Sequence, residues 1–189
     1  MKKIISLAVA ALIAIGIIAI AKPYIDKSNA KKQYDFKVDS KDGALSLDSY
    51  DGKVLAIYFG YMYCPDVCPT SLSSLATALE GFSSEKLKNF EGLFISVDPD
   101  RDSLKDLDDY SKYFHPSFKG ATSNKENIDD IVNRYKSYYK KVYLEGSSMD
   151  YSVAHTSYIY FFDKEGNFVQ KVDHFSNPEQ LKEVLKTLL

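Results

Sequence analysis

The sequence predicts one α/β domain behind a single N-terminal membrane-spanning helix. Three observations carry that expectation. Apolar runs of strand length alternate with segments of helical periodicity, 18 consecutive residues near the amino terminus carry no charge, and 45% hydrophobic residues, with 14% aromatic, suffice for one sizeable core in 189 residues. Such a composition excludes a disordered chain. Lys and Arg total 24 against 26 Asp and Glu, and setting aside Lys2 and Lys3 leaves 22 against 26. That acidic balance excludes a nucleic-acid surface.

The uncharged stretch runs from Ile4 to Ala21. As a helix it would be about 27 Å long, close to the ~30 Å thickness of a bilayer's hydrocarbon. Lys2 and Lys3 would stay in the cytoplasm, which places the carboxy-terminal domain on the periplasmic or extracytoplasmic side of the inner (cytoplasmic) membrane. Ala19-Ile20-Ala21 resembles a signal-peptidase site, but a signal core spans only ~7 to 15 residues, so a retained single-pass anchor is favoured over a cleaved signal. The expected layout is an anchor or signal over residues 1–21, a polar linker over 22–33, and the domain over 34–189.

Within the domain, "YDFKVDSKDGALSLDSYDGK" reads as an entry β-hairpin turning at Asp42-Gly43. "VLAIYFG", Val54 to Gly60, is a continuous apolar run, the mark of a strand buried on both faces. From Pro69, Leu72, Leu75, Ala76 and Leu79 recur at helical spacing with Gly81 as a stop. "GLFISV" is a second buried strand, "DSLKDLDDYSKYF" and "KENIDDIVNRYKSYY" are helices, and "TSYIYFFDKEGNFVQKV" is a strand pair around Lys164-Glu165-Gly166-Asn167. "SNPEQLKEVLKTLL" closes the chain as a helix capped by Ser176 or Asn177. The order βαβα, hairpin, terminal helix is that of a thioredoxin-like fold with an N-terminal β-hairpin extension.

Both cysteines, Cys64 and Cys68, fall on the strand-to-helix turn "YFGYMYCPDVCPT". In an exported domain a cysteine pair is most often a structural disulfide, yet so short a loop would remove little chain entropy. Two inert buried thiols are a weaker reading, because Pro65, Asp66 and Pro69 mark a turn. A cysteine at a helix start is favoured as thiolate, and two of them four residues apart can converge on one ion or on each other. Soft thiolates suit Cu(I), zinc or iron–sulfur clusters, and two alone cannot complete a closed zinc or iron–sulfur site. A third ligand is therefore needed. Of the three histidines, His115 follows a helix and precedes a proline, where it would serve the last carbonyls, and His174 falls at a strand end as a surface turn residue. His155 stands just ahead of an apolar strand, in the loop expected to face the dithiol.

Three separated motifs, "YFGYMYCPDVCPTSL", "FISVDPDRDS" and "DYSVAHTSYIYFFDKEG", resemble the signature of the Sco/SenC family, over roughly Tyr34 to Leu189. The resemblance implies an exported thioredoxin-fold metallochaperone rather than an enzyme, taking part in cytochrome c oxidase assembly. It implies copper as cofactor, Cys64, Cys68 and His155 as ligands with the cysteines also a redox-active pair, and Asp98 near the copper without ligating it. Implied partners are an oxidase subunit with a copper centre and other copper chaperones or thiol reductants. Ala154 stands where family members usually carry an acidic residue, and Thr156 where serine is frequent. Asp98, Arg101 and Asp102 read more plainly as a strand end and turn ahead of a helix capped by Ser103 with Asp106 three residues on. A thiol–disulfide oxidoreductase acting on copper-ligand cysteines is the alternative, although "MDYSVAHTSYIYFF" lacks the proline that faces the dithiol in ordinary thioredoxins.

Overall fold

The computed structural model describes residues 2–146, 149–173 and 177–189. In chain order the elements are α1 (Lys2–Tyr34), β1 (Lys37–Ser40), β2 (Gly43–Ser46), β3 (Val54–Gly60), α2 (Val67–Leu79), the single turn α3 (Ser84–Leu87), β4 (Phe90–Ser96), α4 (Leu104–Phe114), β5 (Phe118–Thr122), α5 (Lys125–Arg134), β6 (Tyr139–Tyr143), β7 (Tyr151–His155), β8 (Tyr158–Phe162), β9 (Phe168–Asp173) and α6 (Pro178–Leu188). Seven strands form one sheet in the order β2-β1-β5-β4-β3-β8-β9. The central trio β5, β4 and β3 is parallel, and β8, β9, β1 and β2 join antiparallel.

The two centre strands are buried along their whole length, as their apolar runs require. The one carboxylate among them, Glu91, is held by Lys53 and Lys119, each at 2.7 Å, so its charge does not stand alone in the interior. The three helices α4, α5 and α6 have side-chain caps from Ser103, Asn124 and Asn177, each accepting from the amide three residues on. His174 and Ser176 lie outside the described residues; the cap of α6 is Asn177.

Three strands, in two places, go beyond the expected order. β5 fills the gap between the two predicted helices; its apolar run is broken by Lys119 and Gly120. A Cβ on Gly120 would stand 2.2 Å from the Leu107 carbonyl oxygen, so glycine here lets α4 lie directly on the strand. The second departure is β6 with β7, a separate two-stranded sheet in which His155 pairs with Tyr139. His155 therefore ends a strand and does not sit in a loop.

The segment 22–33, expected as a linker, is helical throughout and continuous with α1, with Pro23 inside the helix. Its carboxy-terminal end is docked on the domain. Arg134 Nη1 donates to the Gln33 carbonyl at 3.2 Å, the Tyr34 ring stacks on Phe168 at 4.4 Å, and Lys31 pairs with Asp48 at 2.6 Å. These contacts fix a stretch whose polar composition alone reads as a tether. Among the described residues no helix is long and apolar enough to cross a membrane.

Candidate metal centre

β3 delivers the chain to the site and α2 carries it away. After Gly60, the Cys64 amide donates to the Tyr61 carbonyl at 3.2 Å, closing a turn ahead of α2. Cys64 thus precedes the helix, whereas Cys68 is its second residue. Pro69 is accommodated because first-turn amides have no intrahelical partner. The Cys68 amide donates to Cys64 Sγ at 3.4 Å, so the first sulfur accepts one of the orphan donors of the helix start. Gly60 makes room for the second: a Cβ there would fall 2.7 Å from Cys68 Sγ and 2.8 Å from the Phe94 ring.

From the other side, β7 brings His155 Nε2 to 3.3 Å from Cys68 Sγ. One ligand atom from each of Cys64, Cys68 and His155 lies within 4.8 Å of the others, and among the described residues this is the one such group of three or more His, Cys, Asp or Glu. The ring is oriented without an acidic neighbour. His155 Nδ1 stands 3.1 Å from the Thr156 carbonyl, which can only accept, so Nδ1 donates there and Nε2 is the ring nitrogen that faces the sulfurs. Thr156 is itself held by exchange with Tyr138: its amide donates to the Tyr138 carbonyl at 2.9 Å and its Oγ1 accepts from the Tyr138 amide at 3.0 Å. The edges and faces of Tyr58 and Tyr61 close around the imidazole, with ring centres 6.2 and 5.9 Å away.

The two thiols are free and unlike. Cys64 is half-buried; hydrogen bonding from Cys68 first of all, and then from His155 and local amides, holds its thiol down to about 3 against the desolvation that opposes it. Cys68 is fully buried, and burial followed by the Cys64 sulfur pushes its thiol far up. The pair therefore gives up one proton readily, from the accessible sulfur, and resists losing the second. In the reduced, metal-free protein, iodoacetamide is expected to modify Cys64 about as fast at pH 5 as at pH 7, whereas an ordinary thiol would slow about 100-fold. Cys68 should stay unmodified in the folded protein. Peptide mapping of the alkylated chain checks both, and a hundredfold slowing at Cys64 would sink the assignment.

Asp98 is not among the three. It is fully buried, and its carboxylate receives Arg101 Nε at 2.6 Å and the Tyr151 hydroxyl at 2.8 Å. Asp102 also does more than turn the chain. Its Oδ2 accepts from the Met62 amide at 3.1 Å and from Ser96 Oγ at 2.5 Å, pinning the start of the cysteine loop to the end of β4. His115 ends α4 as expected, but its Nδ1 accepts from the Ser117 amide at 3.1 Å and so turns to the following loop instead of the last carbonyls. Gly60, Tyr61, Arg101 and Asp102 escaped the site reading, although "DPDRDS" contains two of them.

The SCO1/SenC family model matches residues 24–189 of this chain. An SCO2-like protein of Rickettsia conorii is 32% identical over 163 residues, covering 86% of this chain and 79% of that protein. Among solved structures, copper-bound ScoI of Bradyrhizobium japonicum shares 34% of its residues at a TM-score of 0.72, covering 82% of this chain and 98% of that one. Copper-bound yeast Sco1 shares 30% at a TM-score of 0.70, covering 80% and 85%. BsSco, a member of the Sco family of cytochrome c oxidase assembly proteins in which a disulfide switch was identified, is 19% identical at a TM-score of 0.60, covers 82% and 91%, and shares the fold.

Proposed function

The chain belongs to the SCO1/SenC family, and on that premise we propose that it is an exported, membrane-anchored copper carrier that delivers copper to, or matures the copper centre of, a cytochrome c oxidase. The observation that carries this reading is the convergence of two sulfurs and one imidazole nitrogen within 4.8 Å. An N,S₂ donor set suits Cu(I) in three-coordination, and Cu(II) when oxygen donors complete a tetragonal site. Three relatives of 30% identity or more were solved with copper bound, which supports copper as the cargo here.

The residues divide the work. Cys64, half-buried and already ionised at neutral pH, faces incoming copper and is the sulfur an acceptor's ligand reaches first. Cys68 gives up its proton as it ligates, since its buried thiol otherwise stays protonated. His155 presents Nε2 to the sulfurs, 3.3 Å from Cys68 Sγ. The exposed side chains of Ile13, Ile15, Ile17, Ile18 and Ile20, on consecutive turns of α1, support an apolar surround for that helix and so the anchored reading. Anchoring would confine donor and acceptor to one surface and raise their effective concentration.

One observation favours a second reading, thiol–disulfide exchange: an accessible low-pKa sulfur next to a buried partner is the polarity a dithiol reductant uses. Cys64 thiolate would attack a target disulfide, Cys68 would then attack Cys64 Sγ, and the target would leave as a dithiol with this pair oxidised.

The test is metal analysis of the reduced full-length protein under anaerobic conditions. About one Cu(I) per chain is expected, and oxidation to the disulfide should abolish uptake because both sulfurs are then committed. The protein should sediment with membranes at high salt, its carboxy terminus open to protease only from outside the cytoplasm; a soluble form beginning at Lys22 would show signal cleavage instead. No copper uptake in the reduced state would hand the dithiol to the exchange reading.

A further inference from the structure

We propose that Arg101 is the positioning residue that holds the β6–β7 hairpin, and with it His155, over the cysteine loop. The inference rests on the three-residue site being a metal centre. It starts from the sheet topology: β7 carries a ligand but pairs only with β6, apart from the seven-stranded sheet whose β3 leads into the cysteine turn. A two-stranded hairpin has little stability of its own, so its place is set by what ties it to the body.

Arg101 supplies the tie at the start of that hairpin's second strand. Its Nη1 donates to the carbonyls of Met149 and Tyr151, at 3.3 and 3.0 Å, the first lying two residues ahead of β7 and the second opening it. Its guanidinium lies 3.7 Å over the Tyr151 ring, while Nε and the Tyr151 hydroxyl share the two oxygens of buried Asp98. The other side of the same group faces the cysteine loop, 5.0 Å from the Tyr63 ring and 5.9 Å from Tyr61, whose ring in turn meets the His155 imidazole. Next in sequence, Asp102 grips Met62. One short turn after β4 thus holds both halves of the site, the hairpin through Arg101 and the loop through Asp102. Val153 adds a buried apolar contact and a backbone hydrogen bond with Tyr61, while the polar ties farther along the hairpin are peripheral. Lys141 pairs with exposed Asp100 at 2.6 Å, the Tyr139 hydroxyl reaches exposed Asp129, and Ser137 and Thr156 join their hydroxyls.

A planar fork that bridges two carbonyls while stacking on a ring is something lysine cannot reproduce. This separates positioning from simple neutralisation of Asp98. If Arg101 only balances that buried charge, Arg101→Lys restores the parent behaviour, and so does the double change Asp98→Asn with Arg101→Gln, which removes both charges. If Arg101 positions the hairpin, neither restores it. In full-length protein, Arg101→Lys should keep the parent's circular dichroism and still bind Cu(I), but lose about 10- to 100-fold in Cu(II) affinity with a weakened thiolate-to-Cu(II) absorption. In the metal-free protein the β7 amides should exchange with solvent at least several-fold faster, those of β3 and β4 unchanged. Parent-like Cu(II) spectra and parent-like β7 exchange in both variants would overturn the proposal. Should the parent itself take up no copper, the metal reading fails, and β7 exchange alone then decides whether Arg101 holds the hairpin.

Discussion

Replacing Cys64 and Cys68 together by serine is expected to reduce copper uptake from about one ion per chain to below about 0.1, because hydroxyls are neither soft nor ionised at neutral pH. The effect should come from the donor atoms and not from the fold. Cys64 is half-buried on a turn, where serine accepts the Cys68 amide about as well as sulfur does. Cys68 is fully buried, but the hydroxyls of Tyr58 and Ser71 belong to the same interior, and serine there should cost about 1–2 kcal/mol. Copper content by elemental analysis beside a thermal melt separates the two effects. A double variant that melts near the parent and still takes up one copper would remove the site from Cys64 and Cys68 altogether.

The second large effect belongs to His155→Ala, which should act unequally on the two oxidation states. Two thiolates can still hold Cu(I) linearly, whereas Cu(II) prefers four donors including nitrogen. The expected result is loss of the thiolate-to-Cu(II) charge-transfer absorption, Cu(I) binding merely weakened, and reactivity toward a small disulfide changed little, since exchange needs sulfur and not imidazole. His115→Ala is the control: that residue caps α4 through its backbone and its ring packs 5.3 Å from Phe118, so removal of the ring should leave the copper spectra as in the parent. Loss of the spectrum from His115→Ala with His155→Ala silent would exchange their roles. If both are silent, the exchange reading moves ahead.

The parts of the fold legible in the sequence were those in which local pattern and burial agree. Val54–Gly60 is an uninterrupted apolar run and "GLFISV" a nearly continuous one because both faces are covered, and α4, α5 and α6 begin at residues that cap them in space. β5, β6 and β7 escaped for a physical reason. Each is only five residues long; Lys119 and Gly120 break the apolar run of the first, and the other two belong to a two-stranded sheet that is mostly part-exposed, so neither continuous nor alternating burial marks them. The donor trio was legible through the dithiol and the resemblance. Arg101 was not, because its partners at Met149 and Tyr151 lie 48 and 50 residues away, and nothing in "DPDRDS" reveals a contact at that range. Asp98, placed near the ligands by the resemblance, acts by holding Arg101 and Tyr151.

The helical segment leading into the domain works as a ruler. From Pro23 to Tyr34 the rise of 1.5 Å per residue sets a standoff of about 17 Å between whatever holds the upstream end and the first residue packed on the domain. Because Arg134, Phe168 and Asp48 grip the last turn, height and azimuth are coupled. One residue inserted between Pro23 and Tyr34 would lift the domain by about 1.5 Å and swing it by about 100° around the helix axis, carrying Cys64 to a different compass bearing. A full turn of insertion would restore most of the bearing while adding about 5.4 Å of height. A slack tether would register neither change.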